Sequence, residues 1–309
     1  MNILSLFDGM SCGQLALNRA NVHYDKYYAS EIEKNSIKVT QHNFPNTIQL
    51  GDVSKVNSKD LDKIDLIMGG SPCQSFSFAG KMKGMSTKDE KEILSLESYL
   101  SLKEAGFEFE GESYLFWEYV RLLKETNPTY FLLENVMMKD YWKKVISDTL
   151  GVEPIMINSN LVSAQDRKRL YWTNIPNVGQ PDDLGLYLRD IMEESVADKY
   201  NITERFYKKK EGTLSYSKSR GNIRTPDRKS KTLTTSGHGI SNSGSTNIKL
   251  SDDYLRIPTP LECERLQTVP DNYTNVGLLD SHRYKMLGNG WTVSVISHIF
   301  KNIQNKNGK

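Results

Sequence analysis

The sequence contains few of the residues that build disulfide-linked, metal-binding or membrane proteins. Cysteine occurs three times in 309 residues, at Cys12, Cys73 and Cys263, and this odd, widely spaced set excludes a disulfide scaffold. The five histidines form no metal-ligand motif, so we expect no metal. No run approaches the roughly 18 apolar residues of a membrane span, and no basic leader begins the chain. These absences predict a cytoplasmic protein without a membrane segment.

The composition fits a large folded protein. Apolar residues make up 38% and charged residues 25% of the sequence, and the mean hydropathy is −0.54, which excludes a disordered chain. A chain of 309 residues can bury about three-quarters of its unfolded surface. One large domain and a smaller one are therefore expected.

Positive charge is concentrated in one segment. Residues 199–249 contain 12 Lys and Arg against 3 Asp and Glu, so this segment has a net charge of +9 and the rest of the chain −7. The segment is rich in Ser, Thr and Gly, which leaves little apolar material for a core. It is either a solvated or disordered insert or a loop-rich module that lies on a polyanion, since phosphate contacts need Lys and Arg but no core.

Short apolar segments alternate with helical patterns over the first 180 residues. The predicted strands are 2–7, 27–32, 64–68 and 130–133. Helical spacing follows the first and the second predicted strand, in the latter case up to residue 42. Further helices are predicted at 118–124, 141–150, 260–266 and 292–303. This alternation is typical of an α/β fold, a doubly wound and mostly parallel sheet with helices on both faces. We expect the last helix to return and pack on this first domain.

The turn after the first predicted strand is placed to approach a cofactor, because ligands of open α/β sheets bind at the carboxyl ends of strands. This turn reads Phe-Asp-Gly-Met-Ser-Cys-Gly at residues 7–13. Glu31 follows Gly9 by 22 residues and could accept hydrogen bonds from ribose hydroxyls, while Asp52 could accept from an adenine amino group. The absence of a GxGxxG motif argues against a pyrophosphate cofactor. An ordinary strand-to-helix turn is the alternative.

Cys73 follows the third predicted strand in the sequence Ser-Pro-Cys-Gln at residues 71–74. Its thiol would lie at the ligand-bearing edge of the sheet, and Pro72 restricts the backbone before it. A thiol becomes a good nucleophile only where its neighbours favour the thiolate. Cys73 is thus a candidate nucleophile, and a small core residue is the alternative.

Glu134 ends the next predicted strand, at the same edge of the sheet. A carboxyl group partly withdrawn from water there could donate a proton near neutral pH, or it could simply cap a helix. Arg167 and Arg169 alternate in an extended segment and would face one side. Together they could clamp a carbonyl oxygen, a carboxylate or a phosphate, and surface ion pairs are the alternative.

These motifs, in this order, resemble those of the DNA (cytosine-5) methyltransferases over most of the chain. The sequence most resembles the bacterial and phage members of this family, although its cofactor turn is similar to that of the animal de novo-type enzymes. In the first part the matches are the cofactor loop at 7–13, the ribose segment at 28–31, the adenine-side acid at 51–53, the nucleophile motif at 71–74 and the Glu-Asn-Val motif at 134–136. Later come the Gln-x-Arg-x-Arg motif at 165–169, the target-recognition core at 232–234, the small-domain scaffold at 259–267 and the last motif at 288–290.

The resemblance implies a methyl transfer through a covalent intermediate. Cys73 would attack C6 of a cytosine while Glu134 hydrogen-bonds or protonates N3, and C5 would then take the methyl group of S-adenosylmethionine. Arg169 and Arg167 would lie over the cytosine O2 and an adjacent phosphate. The base must leave the DNA stack to reach such a pocket.

The resemblance also implies a domain organisation and partners. A catalytic domain at 1–179, completed by 285–309, would have the S-adenosylmethionine-dependent methyltransferase fold, and 180–284 would form a smaller, loop- and β-rich target-recognition domain with its hinge. We expect a monomer that binds double-stranded DNA, with a cognate restriction endonuclease as a further candidate partner acting separately. The implied cofactor-binding residues are Phe7, Asp8, Gly9, Met10, Ser11, Cys12, Glu31, Ile32, Asp52, Val53, Pro72, Leu115, Asn289, Gly290 and Trp291. The implied DNA-binding residues are Gln74, Ser75, Lys208, Lys209, Lys210, Arg220, Arg224, Arg228, Lys229, Thr232 and Thr234.

Two features depart from the family pattern. The cofactor turn reads Phe-Asp-Gly-Met-Ser-Cys-Gly where many members have Phe-x-Gly-x-Gly-Gly, and we expect Cys12 in this turn to pack rather than react. The segment 81–112 is longer than the usual mobile loop, and Gly80, Gly84 and Gly106 are possible hinges. We expect part of this segment to close over DNA and its extra residues to be helical and solvent-facing.

Three other functions compete with this interpretation. A transfer RNA cytosine-5 methyltransferase would share the fold, but that branch has a small recognition segment. A catalytically silent DNA-binding relative would not need Cys73, Glu134, Arg167 and Arg169. A nicotinamide oxidoreductase would share the first strand, turn and helix but would explain neither the Pro-Cys pair nor the basic segment.

Overall fold

The computed structural model describes residues 1–72, 85–89, 91–204, 222–235, 246–251 and 253–303. The strands are β1 Asn2–Leu6, β2 Lys26–Ser30, β3 Ile48–Gln49, β4 Leu66–Gly70, β5 Tyr130–Val136, β6 Ile155–Asn158, β7 Lys168–Thr173, β8 Ile223–Arg224, β9 Asn247–Ser251 and β10 Tyr254–Arg256. The helices are α1 Cys12–Arg19, α2 Lys34–Asn43, α3 Leu96–Glu104, α4 Phe116–Thr126, α5 Asp140–Leu150, α6 Pro260–Leu266, α7 Asp280–Asn289 and α8 Val293–Phe300.

Seven strands form the main sheet, in the order β3-β2-β1-β4-β5-β7-β6. All pairs from β3 to β5 are parallel, whereas β7 runs antiparallel to both β5 and β6. The chain reverses its direction of travel across the sheet at β1, so the carboxyl ends of β1 and β4 flank a crevice suited to a ligand. The predicted α/β class and mostly parallel sheet are confirmed, and β6 and β7 are strands that the apolar pattern did not predict.

Apolar side chains cover both faces of the sheet, as a sheet with helices on both sides requires. On one face α1 packs against α8, with Leu17 and Ile296 fully buried. On the other, α4 contributes Phe116 and Trp117. The expected return of the last helix is confirmed, because α8 packs on the helix that follows β1.

The described part of the long insertion contains helix α3, as expected, but one face of this helix packs in the core, so the expectation of a solvent-facing helix is wrong for that face. Helix α3 buries Leu96 and Tyr99, and the preceding stretch buries Met85 and Ile93, all in the core beside α4. Removing these apolar side chains from water is favourable in free energy, which accounts for the packing of this face of the helix against the core. The remainder of the segment, and its closure over DNA, lie outside the described residues.

A small three-stranded sheet in the order β10-β9-β8 is formed by the second half of the basic segment and the residues just after it. Its apolar cluster is small, centred on Ile202 and Leu255, as its composition predicts. No helix among the described residues is long and apolar enough to cross a membrane. Seven predicted site residues lie outside the described residues: Cys73, Gln74, Ser75, Lys208, Lys209, Lys210 and Arg220.

Candidate active site

A cavity of about 530 Å³ opens at the carboxyl ends of β1, β2, β4 and β5. This volume lies within the range of sites for small molecules and cofactors. Of the 15 predicted cofactor-binding residues, 14 line it, and the exception, Ser11, is fully buried behind it. The cavity also reaches Glu134, Arg167 and Arg169, so it brings these three predicted catalytic residues to the predicted cofactor residues, while Cys73 lies outside the described residues.

The turn after β1 has an unusual backbone. Phe7, Gly9 and Ser11 have φ angles of 57°, 60° and 63°, in the left-handed region that only glycine enters freely. Two such non-glycine residues in one turn indicate strain that the surrounding structure must hold. Tyr273 contributes by donating its hydroxyl to the Met10 carbonyl over 2.7 Å.

The Glu31 carboxylate holds its own loop in place. It accepts backbone N–H groups from Gly9 at 2.7 Å and from Ile32 and Glu33 at 2.8 Å. The neighbouring Ile32 side chain is 71% exposed, so an apolar surface stands open at the rim of the cavity. Asp52 lies in the loop after β3, where its carboxylate accepts the backbone N–H of Ser54 and begins a short turn.

Two residues of the turn titrate abnormally. Burial raises the pKa of Asp8 to about 6, against hydrogen bonds that include the Tyr27 hydroxyl at 2.7 Å. Burial likewise raises the pKa of the Cys12 thiol to about 12. Cys12 therefore stays protonated at neutral pH, and its packing role, as expected from the sequence, fits this environment.

Glu134 has one partner at each carboxylate oxygen, an ion pair at Oε1 and a hydrogen bond at Oε2. The distance from Arg169 Nε to Glu134 Oε1 is 2.9 Å, and the indole N–H of Trp291 donates to Glu134 Oε2 over 3.1 Å. The first contact follows from β5 and β7 being antiparallel, since Val136 pairs with Arg169 in the ladder. The carboxylate is 8% exposed and borders the cavity. A buried carboxylate fixed in this way can present its remaining acceptor positions to a ligand.

Arg167 hydrogen-bonds to backbone carbonyl groups. Its guanidinium donates to the carbonyl oxygens of Leu233, Gly288 and Gly290 at 2.9–3.1 Å, and the residue is 3% exposed. It therefore joins Leu233 of the basic segment to the last turn of α7 and the residue that follows this helix. The predicted contact of Arg167 with a base or phosphate stays a prediction.

The predicted target-recognition core runs beside the Gln-x-Arg-x-Arg segment. Thr232 donates its hydroxyl to the Asp166 carbonyl, and Leu233 N–H donates to Gln165. Gly288 touches Thr234 so closely that a Cβ on this glycine would lie 2.5 Å from the Thr234 carbonyl atoms. Residues 232–234 are thus fixed against Gln165, Asp166 and α7.

The described basic residues differ in accessibility. The Lys229 ammonium donates to the backbone carbonyls of Asn160 and Ser163, and burial lowers its pKa. Arg224 donates to the Ile223 carbonyl, whereas Arg228 is exposed. Their predicted DNA contacts remain predictions, and Arg228 is the one of the three that projects into solvent.

Comparison with known proteins identifies the group to which this site belongs. The family profile of the C-5 cytosine-specific DNA methylases matches residues 1–305. The chain belongs to this family. The resemblance read from the motifs is confirmed, and family membership implies S-adenosylmethionine as cofactor and DNA as substrate.

Relatives of this methylase come from bacteria and phages. It is 28% identical to the type II methyltransferase M1.ScrFI of Lactococcus lactis subsp. cremoris, over 96% of this chain and 76% of the relative. It is 26% identical to the type II methyltransferase M.Bsp6I of Bacillus sp. (strain RFL6), over 98% of both. It is 30% identical to the orphan methyltransferase M.Rho11sI of Bacillus phage rho11s, over 66% of this chain, but spans only 46% of that longer protein.

Solved structures show the same fold. The crystal structure of S. pombe Dnmt2 methyltransferase superimposes with a TM-score of 0.74 and 20% identity over 97% of each chain. The Entamoeba histolytica methyltransferase EhMeth gives 0.73 and 16% identity over 99% of each chain. The likeness at these identities concerns the fold.

Sequence reasoning missed two features of the site. The contact of Trp291 with Glu134 joins residues 157 positions apart, and no local pattern indicates it. Lys285 and His282 of α7 also line the cavity, and Lys285 pairs with Glu33 at 2.8 Å. The helical spacing of His282, Lys285 and Asn289 was the available signal for this second wall of the cavity.

Proposed function

We propose that this protein methylates C5 of a cytosine within a specific sequence of double-stranded DNA, with Cys73 as covalent nucleophile. The observation that carries the proposal is the Glu134–Arg169 ion pair beside the cavity. Glu134 pairs in the sheet with Gly70, and the chain reaches Cys73 three residues after Gly70. A proton donor and a nucleophile thereby come from neighbouring strand ends.

The cavity suits an adenosine cofactor with a cationic end. Glu31 and Asp52 offer carboxylates near the rim for ribose and adenine, and the exposed Ile32 offers an apolar surface for the adenine ring. Asp8 and Glu33 add negative charge, which favours a sulfonium and an ammonium group. The bound S-adenosylmethionine would supply an electrophilic methyl group.

The covalent step explains the choice of residue types. C5 of cytosine is a weak nucleophile until a thiolate adds at C6. The Cys73 thiolate would form an S–C6 bond while Glu134 gives a proton to N3, which leaves a nucleophilic enamine at C5. After methyl transfer, water accepts the C5 proton, the electrons of that C–H bond form the C5–C6 double bond as the C6–S bond breaks to release the Cys73 thiolate, and N3 returns its proton to Glu134. Arg169 would hold Glu134 in position and face the cytosine O2.

The basic segment would bind the duplex and the flipped base would enter the cavity. C5 and C6 are shielded in a stacked duplex, so extrusion of the base is required. Exposed basic residues such as Arg228 would contact the backbone, while residues 232–234 stay fixed to the catalytic half through Arg167. We place the catalytic domain at 1–179 with 285–309 and the recognition domain at 180–284, in a monomer that acts independently of any cognate restriction endonuclease.

Bisulfite sequencing of DNA from bacterial cells expressing the protein tests the activity and reveals the recognised sequence. We expect one sequence to contain 5-methylcytosine, and Cys73→Ala to abolish the mark while the variant stays folded. An unmodified genome, together with methyl transfer to transfer RNA in vitro, would overturn the DNA substrate in favour of the transfer RNA branch.

Covalent trapping tests the mechanism separately. Fluorine at C5 cannot leave as a proton does, so a duplex with 5-fluorocytosine should remain bound to Cys73 after methyl transfer. A denaturing gel should then show a stable adduct with the wild type and none with Cys73→Ala. Absence of an adduct in an enzyme that methylates ordinary DNA would contradict the covalent mechanism.

A further inference from the structure

We propose that Trp291 is a positioning residue for Glu134, beyond its place in the wall of the cofactor cavity. Its indole N–H donates to Glu134 Oε2 over 3.1 Å, while Arg169 holds Oε1. The inference rests on the proposed function, because it assigns Trp291 a part in the activation of cytosine. It links the loop after α7 to the proton-transfer step.

One donor would not fix the Glu134 carboxyl group. The terminal torsion of a glutamate side chain has a broad energy minimum, so a carboxylate held at one oxygen can still rotate. Arg169 pairs with Oε1 through its Nε, while its Nη1 donates to the Lys168 carbonyl oxygen. Trp291 supplies a second fixed point at Oε2, which sets the plane of the carboxyl group.

Fixing that plane matters for the substrate. Each carboxylate oxygen has two acceptor positions, so one on each remains after Arg169 and Trp291 are bound. Cytosine presents N3 and its 4-amino group side by side in the plane of the ring. N3 accepts a hydrogen bond and the amino group donates one, so the carboxyl group meets both when one free position carries a proton for N3 and the other accepts from the amino group. This requires the two planes to coincide, and proton transfer to N3 depends on that alignment.

Gly70 independently supports the inference. A Cβ at Gly70 would lie 2.9 Å from Trp291 Nε1 and 3.0 Å from Glu134 Oε2. A methyl group there would therefore press on both partners of the hydrogen bond. Gly70 has no positive φ, so the backbone itself does not require glycine. The absence of a side chain at this position leaves room for the indole to reach the carboxylate.

Hydrogen exchange at C5 without cofactor separates this role from cofactor binding. When Cys73 adds to C6 and no methyl donor is present, C5 takes a proton from water. Reversal then releases the original hydrogen as the C6–S bond breaks. Tritium release from a long duplex labelled at C5 of cytosine measures this cycle, and a long duplex contains the recognised site.

Trp291→Phe keeps an aromatic ring but loses the donor, and Gly70→Ala keeps the indole but displaces it. We expect both variants to release tritium at least about tenfold more slowly, as for loss of a hydrogen bond to a charged group, while S-adenosylmethionine affinity changes less than about threefold. The matched control is Trp172→Phe, which removes an indole bond of 2.9 Å to Ser147 in the core. It should change neither quantity in the folded fraction.

Wild-type exchange rates in Trp291→Phe or in Gly70→Ala would overturn the positioning role. A variant that lost only cofactor affinity would also overturn it, because Trp291 would then be a wall of the cofactor site alone. If the wild type neither exchanges tritium nor methylates the duplex, the proposed function fails instead, so the two failures are distinguishable.

Discussion

Glu118 on α4 and Glu134 on β5 are both withdrawn from solvent and both pair with an arginine, but their surroundings differ. Glu118 is fully buried and receives three side chains: Tyr99 at 2.6 Å, Lys103 at 2.5 Å and Arg121 at 2.7 Å. Glu134 has one ion-pair partner and one hydrogen-bond donor, and it borders a cavity. A buried carboxylate surrounded by donors contributes to structure, whereas one with acceptor positions facing a cavity is available for chemistry.

The Glu118 cluster also explains how the long insertion is attached. Tyr99 and Lys103 come from α3, and Arg121 extends from α4 to the carbonyl oxygens of Val53 and Val56. The cluster therefore fastens the insertion to the loop that carries Asp52. Burial alone would raise the pKa of Glu118, but the hydrogen bonds from Lys103, Tyr99 and Arg121 outweigh it and lower that pKa.

The same substitution at both glutamates should separate the two roles. We expect Glu134→Gln to reduce kcat by roughly 10²- to 10⁴-fold, because the amide cannot deliver a proton to N3. Its unfolding free energy should fall less than that of Glu118→Gln, because the Glu134–Arg169 pair borders the cavity instead of lying wholly in the core. Methyl-transfer kinetics and urea unfolding measure the two effects. A fully active Glu134→Gln enzyme would remove Glu134 from the chemistry.

Glu118→Gln should show the opposite behaviour. Removing this charge leaves Lys103 and Arg121 without their shared partner, which destabilises by about 3 kcal/mol, while kcat of the folded fraction stays near wild type. Because the pKa is lowered in the folded state, the stabilisation is present above the ordinary value of 4.5 and is lost as pH falls through the lowered value. The acid-induced loss of stability should therefore be shallower in the variant.

Glu125→Gln is the matched control for Glu118→Gln. Glu125 also pairs with Arg121, at 3.0 Å, but its side chain is 37% exposed. Solvent screening limits such a pair to less than about 1 kcal/mol. Equal losses of unfolding free energy in the two variants would contradict the view that Glu118 anchors the insertion.

Asp8 contrasts with Glu118 because burial dominates its titration. The folded protein binds a proton at Asp8 up to a pKa of about 6, whereas an unfolded chain releases it near 3.8. Stability should therefore fall as pH rises from 4 to 6, by about 2–3 kcal/mol in total. Asp8→Asn should remove this slope and be the more stable protein at pH 7.5 in urea unfolding. Parallel stability curves for the two proteins would show that Asp8 ionises normally.

The local patterns predicted the sheet and the edge that bears the site, and for a physical reason. The apolar runs at β1, β2, β4 and β5 are short-range signals, and parallel strands necessarily place their carboxyl ends together. Glu31 and Glu134 were found in this way. Contacts between residues far apart in the sequence were not predicted. Arg169 lies beside Glu134 because β5 and β7 pair antiparallel, and Trp291 contacts Glu134 from the C-terminal region.

Arg167 and the insertion show where local reasoning fails. The alternation of Arg167 and Arg169 predicted that both face one side, and both do line the cavity, but three backbone carbonyls receive Arg167. Which acceptors a buried guanidinium finds depends on the tertiary path of other segments. For the insertion, the apolar residues Met85, Ile93 and Tyr99 were visible signals of burial that the loop-length comparison ignored.

Gly288 offers the smallest and most local test of how α7 holds residues 232–234, the predicted recognition core. A Cβ there would lie 2.5 Å from the Thr234 carbonyl carbon and oxygen, and backbone atoms cannot move aside as a flexible side chain can. Gly288→Ala should cost about 1–2 kcal/mol of unfolding free energy and weaken duplex binding more than cofactor binding. Gly179→Ala is the control, because its Cβ would meet nothing within 4 Å. If both alanines leave duplex affinity unchanged, residues 232–234 do not depend on α7 for their position, and the anchoring of this segment must come from Arg167 and Gln165 alone.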